Sequence, residues 1–431
     1  MEVNPKSMRN GIDSSIILLL DRSIPVFSLP NNAMEQPTAR SRALPSLMEE
    51  LVEEILLHLP PEEPPAHLVR AAMVCKAWCR ILSDAGFRRR YYRFHRGRAT
   101  PTLLGYVCGV STGGAGPQFV PTTSYFLPPP LPTRYGYSAM DSRHGRVLIR
   151  VTSKDGSPEG LIVCSLVTGN RQHLSFPPNY PCQDFCSFTR TVLCARHRHG
   201  CDHLDCHGGP FLVVYVQTDD TVTAGAEHRT MHTRVSVYSS EAGAWSAQTC
   251  YTNQNYYHGG YCRKPILIGD ALYFILSCDR EVKIILKYDL CDHGLSVMDD
   301  ALQVFVNSKI FLIDIDGGLG ILEFDYYSRI YMWSRHVDAN GVGVWARHNN
   351  VVDLETSIPR IDGARSSLDT IHFAEGTDTI LLYLHSFGIF ALDLNSRQLR
   401  TVNFNKTCDD NILPYVSFYI PDLAKGKLSS R

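Results

Sequence analysis

Four short strands separated by tight turns, and then repeated, constrain this chain more than any other feature. Between Lys309 and Asn350 the runs Ile310–Ile313, Gly320–Phe324, Ile330–Trp333 and Val342–Trp345 are divided by turns rich in Asp, Gly, Ser and Asn. The pattern returns at Ile371–Phe373, Ile380–Leu384, Gly388–Leu392 and Leu399–Val402. Earlier copies lie at 137–176 and 266–298, and 185–249 holds another, widened by inserted loops. An aspartate closes a strand at Asp289, Asp325 and Asp393. Units of roughly 40–50 residues that cannot bury both sheet faces alone stack radially, as the blades of a β-propeller do. A decorated β-sandwich needs far fewer strands than this chain supplies. Five units are legible, and 100–133 with the tail Leu413–Pro421 can close one or two more. The propeller-like domain is expected over 135–425, after a Pro/Gly-rich connector at 99–134.

A different pattern occupies 44–82. Ser46 and Glu49 have the spacing of a capping box. Apolar residues follow at 47, 48, 51, 52, 55, 56 and 59, a wide helical stripe, with Glu49, Glu50, Glu53 and Glu54 on the other face. Pro60-Pro61 ends that helix. Leu68, Val69, Ala72, Val74, Cys75, Trp78, Ile81 and Leu82 then predict two further short helices with apolar sides inward. So few residues cannot bury that much apolar surface alone. The stripe calls for a partner.

The order Leu44-Pro45, an acidic helix closed by Leu57-His58-Leu59-Pro60, then Val74-Cys75-Lys76-Ala77-Trp78 and Ile81-Leu82, resembles the F-box. The resemblance covers about 40 residues and departs from the family in the Pro64-Pro65 insertion between the first two helices. It implies a three-helix module that binds a Skp-type adaptor and, through it, a cullin–RING ubiquitin ligase. Leu44, Pro45, Leu51, Ile55, Leu56, Leu59, Val74, Cys75 and Trp78 are then adaptor contacts or their supports. With Phe94-His95-Arg96, the loop Cys201–His207 and the tail, 42–421 resembles the plant, especially grass, F-box proteins with an F-box-associated β domain. That resemblance implies a non-catalytic substrate receptor of an SCF-type ligase with an unnamed protein client. Its alternatives are an adaptor-binding protein outside a ligase and a propeller enzyme. The fold class expected is α+β multidomain: an N-terminal three-helix F-box followed by an all-β, propeller-like repeat domain.

The rest of the chain adds bounds. Residues 1–40 predict a disordered leader, because Ile16–Leu20 is too short for a signal core or a membrane span. The helical module with its linker helix is placed at 41–98, where six arginines interleave with aromatics between Phe87 and Arg98. Phe87, Tyr91 and Phe94 fall at helical spacing, so these arginines predict a solvated helix face rather than a nucleic-acid patch. A net charge of −1 offers no field for nucleic acid or an anionic membrane. Fourteen cysteines without a small-domain framework fit the reducing cytoplasm or nucleus, with thiols free.

Nine Cys and His residues fall between Cys182 and His207, but no C-x2-C pair is present. The expectation is a polar loop with packed cysteines and neither metal nor cofactor. Motifs for a nucleophile elbow, a zinc protease or a phosphate loop are missing, and Asp314–Gly317 reads as a tight turn with Gly317-Gly318 at positive φ. Loops at 195–210, 219–232 and 250–264 are long. Tyr251, Tyr256, Tyr257 and Tyr261 in the last are candidate client contacts, since tyrosine offers large area at low entropic cost. Their rings can equally cover the edge of their own blade.

Overall fold

In the β region, consecutive residues of one strand face different sheets. The computed structural model describes residues 48–59, 66–95, 102–109, 116–123, 126, 128–178, 187–196, 201, 203, 206–222, 229–256, 261–262, 264–277, 283–298, 302–305, 308–325, 329–340, 342–354, 368–384, 388–403 and 411–417. Two compact units result, Met1–Ala99 with Ile420–Arg431, and Thr100–Tyr419.

The second unit begins with β1 (Thr102–Cys108) and β2 (Gln118–Pro121), an antiparallel pair. Blade I is β3 (Tyr137–Arg143), β4 (Arg146–Thr152), β5 (Pro158–Ser165) and β6 (Arg171–Leu174). Blade II is β7 (Ser187–Cys194), β8 (Phe211–Val222) and β9 (Arg229–Ser239), with β10 (Ala244–Trp245) and β11 (Thr249–Tyr256) both paired to β9. Blade III is β12 (Tyr261–Cys262) and β13 (Ile266–Ile268), both on β14 (Ala271–Ser277), then β15 (Lys283–Asp289) and β16 (Leu295–Met298). Blade IV is β17 (Lys309–Ile315), β18 (Gly318–Phe324), β19 (Arg329–Val337) and β20 (Gly343–Asp353). Blade V is β21 (Leu368–Ala374), β22 (Thr379–Leu384), β23 (Gly388–Asp393) and β24 (Leu399–Asn403). The last strand, β25 (Ile412–Ser417), returns to pair with β1 and so makes blade VI from both ends of the domain.

Side-chain alternation closes the ring. On β4, Val147 and Ile149 join Leu104, Val107 and Tyr415 of blade VI in one core, whereas Leu148 joins Val192 and Val213 of blade II in another. Val214, Val235, Phe274 and Leu286 fill the gap between blades II and III. Ile275, Ile285, Ile310 and Ile321 fill III–IV, Ile313, Leu322, Ile380 and Leu382 fill IV–V, and Leu381, Ile389, Tyr106 and Ile412 fill V–VI. Each sheet therefore buries both faces, and six blades account for six interfaces. The segment 99–134, expected as a connector, carries β1 and β2 of this ring, so the β domain starts at Thr100 rather than near 135. The expected final strand in the tail is β25.

The strand-closing aspartates organise turns. Asp289 Oδ1 accepts from the Cys291 amide at 2.8 Å, Asp325 Oδ1 from Arg329 at 2.9 Å and Asp393 Oδ1 from Ser396 at 2.7 Å. At the β17–β18 turn, Asp316 and Gly317 take positive φ, 53° and 79°, while Gly318 is already strand, which shifts the expected pair by one residue. The expected loops at 219–232 and 250–264 are also corrected. Their described parts extend β8 and β9 and form β11, because alternating Thr, Val, Met and Tyr suit a sheet. Cys108 is disulfide-bonded, which departs from the expectation that every thiol is free.

In the first unit, α1 (Glu49–Leu57), α2 (Ala66–Val74), α3 (Lys76–Ser83) and α4 (Ala85–His95) follow one another. The N-cap of α1 is Met48 without a side-chain cap bond, and Ser46 lies outside the described residues. Asp84 caps α4 instead, accepting from the Phe87 amide at 2.7 Å. The carbonyls at the end of α1 lack helical partners, and α4 supplies them: Tyr91 Oη donates to Leu59 O, and His95 Nε2 to Leu57 O, both at 2.8 Å. The buried stripe of α4 is thus Phe87, Tyr91 and His95 at four-residue spacing. Phe94 is half exposed, since one further residue completes that stripe better than three do. Arg90 of the arginine face pairs with Glu53 of α1, and Arg80 of α3 pairs with Glu49.

Candidate functional sites

Four charged side chains meet beside the innermost strands of the propeller. Asp141 and Arg143, two apart on β3, point the same way, and Lys264 and Glu375 arrive from blades III and V. Lys264 Nζ lies 2.8 Å from Asp141 Oδ1, and Arg143 pairs with Glu375. Thr191 of β7 donates to Asp141 Oδ2 at 2.6 Å and accepts from Arg143, which also donates to the Pro265 carbonyl at 2.6 Å. Burial raises the pKa of Asp141, but Lys264, Arg143 and the Thr191 hydroxyl outweigh it and hold the carboxyl at about 2. For Glu375 burial prevails over Arg143 and Lys264, and its pKa is raised. Next to this network lies a cavity of about 210 Å³, lined by Arg143, Lys264 and Glu375 and by apolar residues including Ile275, Leu312, Ile313 and Phe373. Two cations and two carboxylates pair here, with Arg143 Nε left without a hydrogen-bond partner, and the arrangement ties blades I, II, III and V together.

The candidate client tyrosines separate. Tyr251 is half-buried and packs on the core between blades II and III, opposite Thr233. Tyr256 ends β11 across a bulge, opposite Arg229, and Tyr261 opens β12 opposite Ser277. Tyr257 lies outside the described residues, as do the side chains of Tyr256 and Tyr261. The stretch is therefore the passage from the outer edge of blade II to the inner strands of blade III.

At the end of β7, Cys194, Cys201, His203 and Cys206 converge, their ligand atoms all within 4.8 Å of one another. Cys194 and Cys201 are 3.8 Å apart at sulfur, and Cys206 Sγ is 3.9 Å from His203 Nδ1. The hydrogen bond from Cys206 holds the Cys194 thiol well below the usual thiol range, against burial, and pushes the Cys206 thiol up in return. Cys201-x4-Cys206 with His203 or His207 has local ligand spacing in the sequence, but Cys194 does not stand out there, because it ends a strand where a cysteine reads as core packing.

The helical unit sorts its candidate residues plainly. Leu56 and Leu59 are buried, Ile55 and Trp78 are half-buried, and Leu51, Val74 and Cys75 are exposed. Leu44 and Pro45 lie outside the described residues. Two residues absent from the sequence-derived set join the exposed group: Met48 is 64% exposed and Met73 73%, beside Leu51 at 47% and Val74 at 55%. Met48, Leu51 and Ile55 share one face of α1 by spacing.

Residues 44–90 match the F-box domain. The F-box of this chain therefore extends through most of α4, and an all-β six-blade propeller follows it. F-box proteins are typically non-catalytic adaptors that bind Skp-type partners, and F-box plus propeller fits a substrate adaptor in general terms. No curated protein matches the chain. Among solved structures it is similar to a prolyl endopeptidase at 12% identity, over 63% of this chain and 43% of that one, with a TM-score of 0.31. The SapL1 lectin in complex with alpha-methyl fucoside gives 10% identity, 70% and 96% coverage and a TM-score of 0.36. The WD40 domain of SCAP from fission yeast gives 11%, 61%, 50% and 0.31. Likenesses this distant assign no activity, and the chain spans less than half the length of the endopeptidase. No helix among the described residues is long and apolar enough to cross a membrane.

Proposed function

We propose that this chain is the substrate-receptor subunit of an SCF-type cullin–RING ubiquitin ligase, acting in the cytoplasm or nucleus. Its F-box binds a Skp-type adaptor, and its propeller holds a protein client without bond chemistry of its own. The observation that carries this reading is the exposed apolar group Met48, Leu51, Met73 and Val74 on a matched F-box. Large apolar side chains left in water on a small helical unit favour a protein partner. Around them, Ile55, Cys75 and Trp78 are contacts or supports, while Leu56 and Leu59 hold the helices together. The mutual pairing of Asp141, Arg143, Lys264 and Glu375 supports a scaffold rather than a catalytic channel.

Client recognition is assigned to the passage from Tyr251 to Tyr261, with Tyr251 as its anchor in the blade core. Replacing Tyr256 and Tyr257 by serine then abolishes client capture and leaves adaptor binding and melting temperature unchanged. The deciding experiment is affinity purification of the full chain. A receptor recovers adaptor together with cullin, and clients accumulate when 44–90 is deleted. Adaptor without cullin would instead identify a protein working outside a ligase. Recovery of neither overturns the F-box reading.

A further inference from the structure

We propose that Cys194, Cys201, His203 and Cys206 form a structural zinc site that fastens the β7–β8 connection to blade I. The ligand atoms lie close enough together for a four-coordinate ion. With Zn–S near 2.3 Å and Zn–N near 2.0 Å, neighbouring ligand atoms of a tetrahedral site stand about 3.5–3.8 Å apart. The two measured edges are 3.8 Å for Cys194 Sγ to Cys201 Sγ and 3.9 Å for Cys206 Sγ to His203 Nδ1. No pair among the four exceeds 4.8 Å, so a small inward adjustment closes the set. Three thiolates and one imidazole select zinc over the hard cations, which prefer oxygen. All four positions come from the protein, and Cys194 and Cys206 are buried, which describes a closed site rather than a catalytic one.

A second observation concerns the charge beside the cluster. Arg146 is 1% exposed and meets no carboxylate among the described residues. Its guanidinium donates to the carbonyls of Cys206 and Gly209, the latter at 2.8 Å, and Nη1 lies 3.8 Å from Cys206 Sγ. A buried cation needs a compensating charge. Zn²⁺ with three thiolates carries one net negative charge, and Arg146 neutralises it. Outer-shell groups are also in place. The Arg196 amide donates to Cys194 Sγ at 3.3 Å, and the His144 ring stacks on His203 at 3.9 Å, nearly parallel. His144 Nδ1 in turn accepts from the Cys194 amide at 3.1 Å. These contacts hold the His203 ring and the Cys194 backbone in the orientation the metal requires.

His144 lies in the β3–β4 turn of blade I and Arg146 opens β4, whereas the four ligands belong to blade II and its loop. The site is thus a clasp between adjacent blades. His207 is nearby in sequence and is not a ligand, which gives the assignment a sharp test. Full-length wild-type chain, expressed without an affinity tag and dialysed against metal-free buffer, is expected to hold one zinc per chain by mass spectrometry of the elements. Cobalt exchanged into it should show intense visible bands of tetrahedral geometry and near-ultraviolet thiolate-to-metal transitions. Cys201→Ser removes the metal, and His207→Ala keeps it at one equivalent. Zinc near zero in folded wild-type protein overturns the proposal, as does a disulfide between Cys194 and Cys201. Loss of zinc in His207→Ala with retention in His203→Ala overturns the ligand set. Because the wild-type measurements decide the main point, misfolding of a variant does not shelter it.

Discussion

The F-box and the propeller handle the same kind of side chain in opposite ways. In the propeller, strands such as β18 and β22 bury residues on both faces, and Phe274, Leu322 and Leu382 are fully enclosed between blades. Among the described residues, the large apolar side chains it exposes are Tyr135 and, around one hairpin end, Val337, Val342 and Val344. The helical unit is a small fraction of the chain, yet Met48, Leu51, Met73, Val74 and Phe94 are all exposed on it. The propeller satisfies its sheets by repetition, each blade covering the next. The helices have no repeat to lean on, and these side chains stay open to solvent.

The comparison breaks most visibly in the core. Phe274→Ala empties a fully buried site between blades II and III and should destabilise the β domain by about 3–5 kcal/mol. Calorimetry should show that loss while adaptor binding persists; unchanged melting would mean that the blade interfaces do not carry stability. Next in size is Leu51→Asp, which places an unpaired charge in the proposed contact. Adaptor affinity should fall by at least about 30-fold, the equivalent of ~2 kcal/mol, with no change in helicity. If Leu51→Asp unfolds the helices instead, the residue belongs to their interior and the contrast between the two units is lost. Leu56→Ala is the control, since it is fully buried and should unfold the module before any binding is tested.

A pH titration comes third. The folded pKa of Asp141 is about 2 against 3.8 for an ordinary aspartate. A depressed carboxyl contributes stability above the ordinary value and loses it as pH falls through the folded value. The β domain should therefore weaken between roughly pH 4 and pH 2, by on the order of 2 kcal/mol from this group. Asp141→Asn should flatten that part of the profile when unfolding is followed by intrinsic fluorescence. The smallest effect belongs to Arg80, whose pair with Glu49 at 2.7 Å is exposed on both sides. Arg80→Ala should cost under about 1 kcal/mol, and added salt should erase the difference.

The blades were readable because each is built from residues close in sequence with a period of two. Ile380–Leu384 and Gly388–Leu392 declare their strands without help from the rest of the chain. Blade number was not readable. It depends on Leu103 meeting Val416, and no local pattern announces a pairing that remote. The F-box was legible for the first reason, and its division into core and surface was not. Amphipathic spacing places Leu51 and Leu56 within the same wide stripe, whereas burial separates them by what α4 covers. Phe94 and His95 were exchanged because a one-residue turn of a helix changes which ring faces inward. The charged network had a faint signal, Asp141 and Arg143 on one side of a strand, but Lys264 and Glu375 reach them only through the ring.

Blade VI has a consequence in time. Its middle strand, β1, is made early, and its inner strand, β25, is made roughly 300 residues later. At synthesis rates of about 5–20 residues per second, β1 waits on the order of 15–60 s for that partner. Throughout this interval the nascent chain displays an already translated F-box together with an unclosed ring, whose Leu103 and Tyr106 lack their neighbours from Ile412 onward. A ribosome that stops short of Ile412 leaves a product with a complete F-box and a propeller that cannot close.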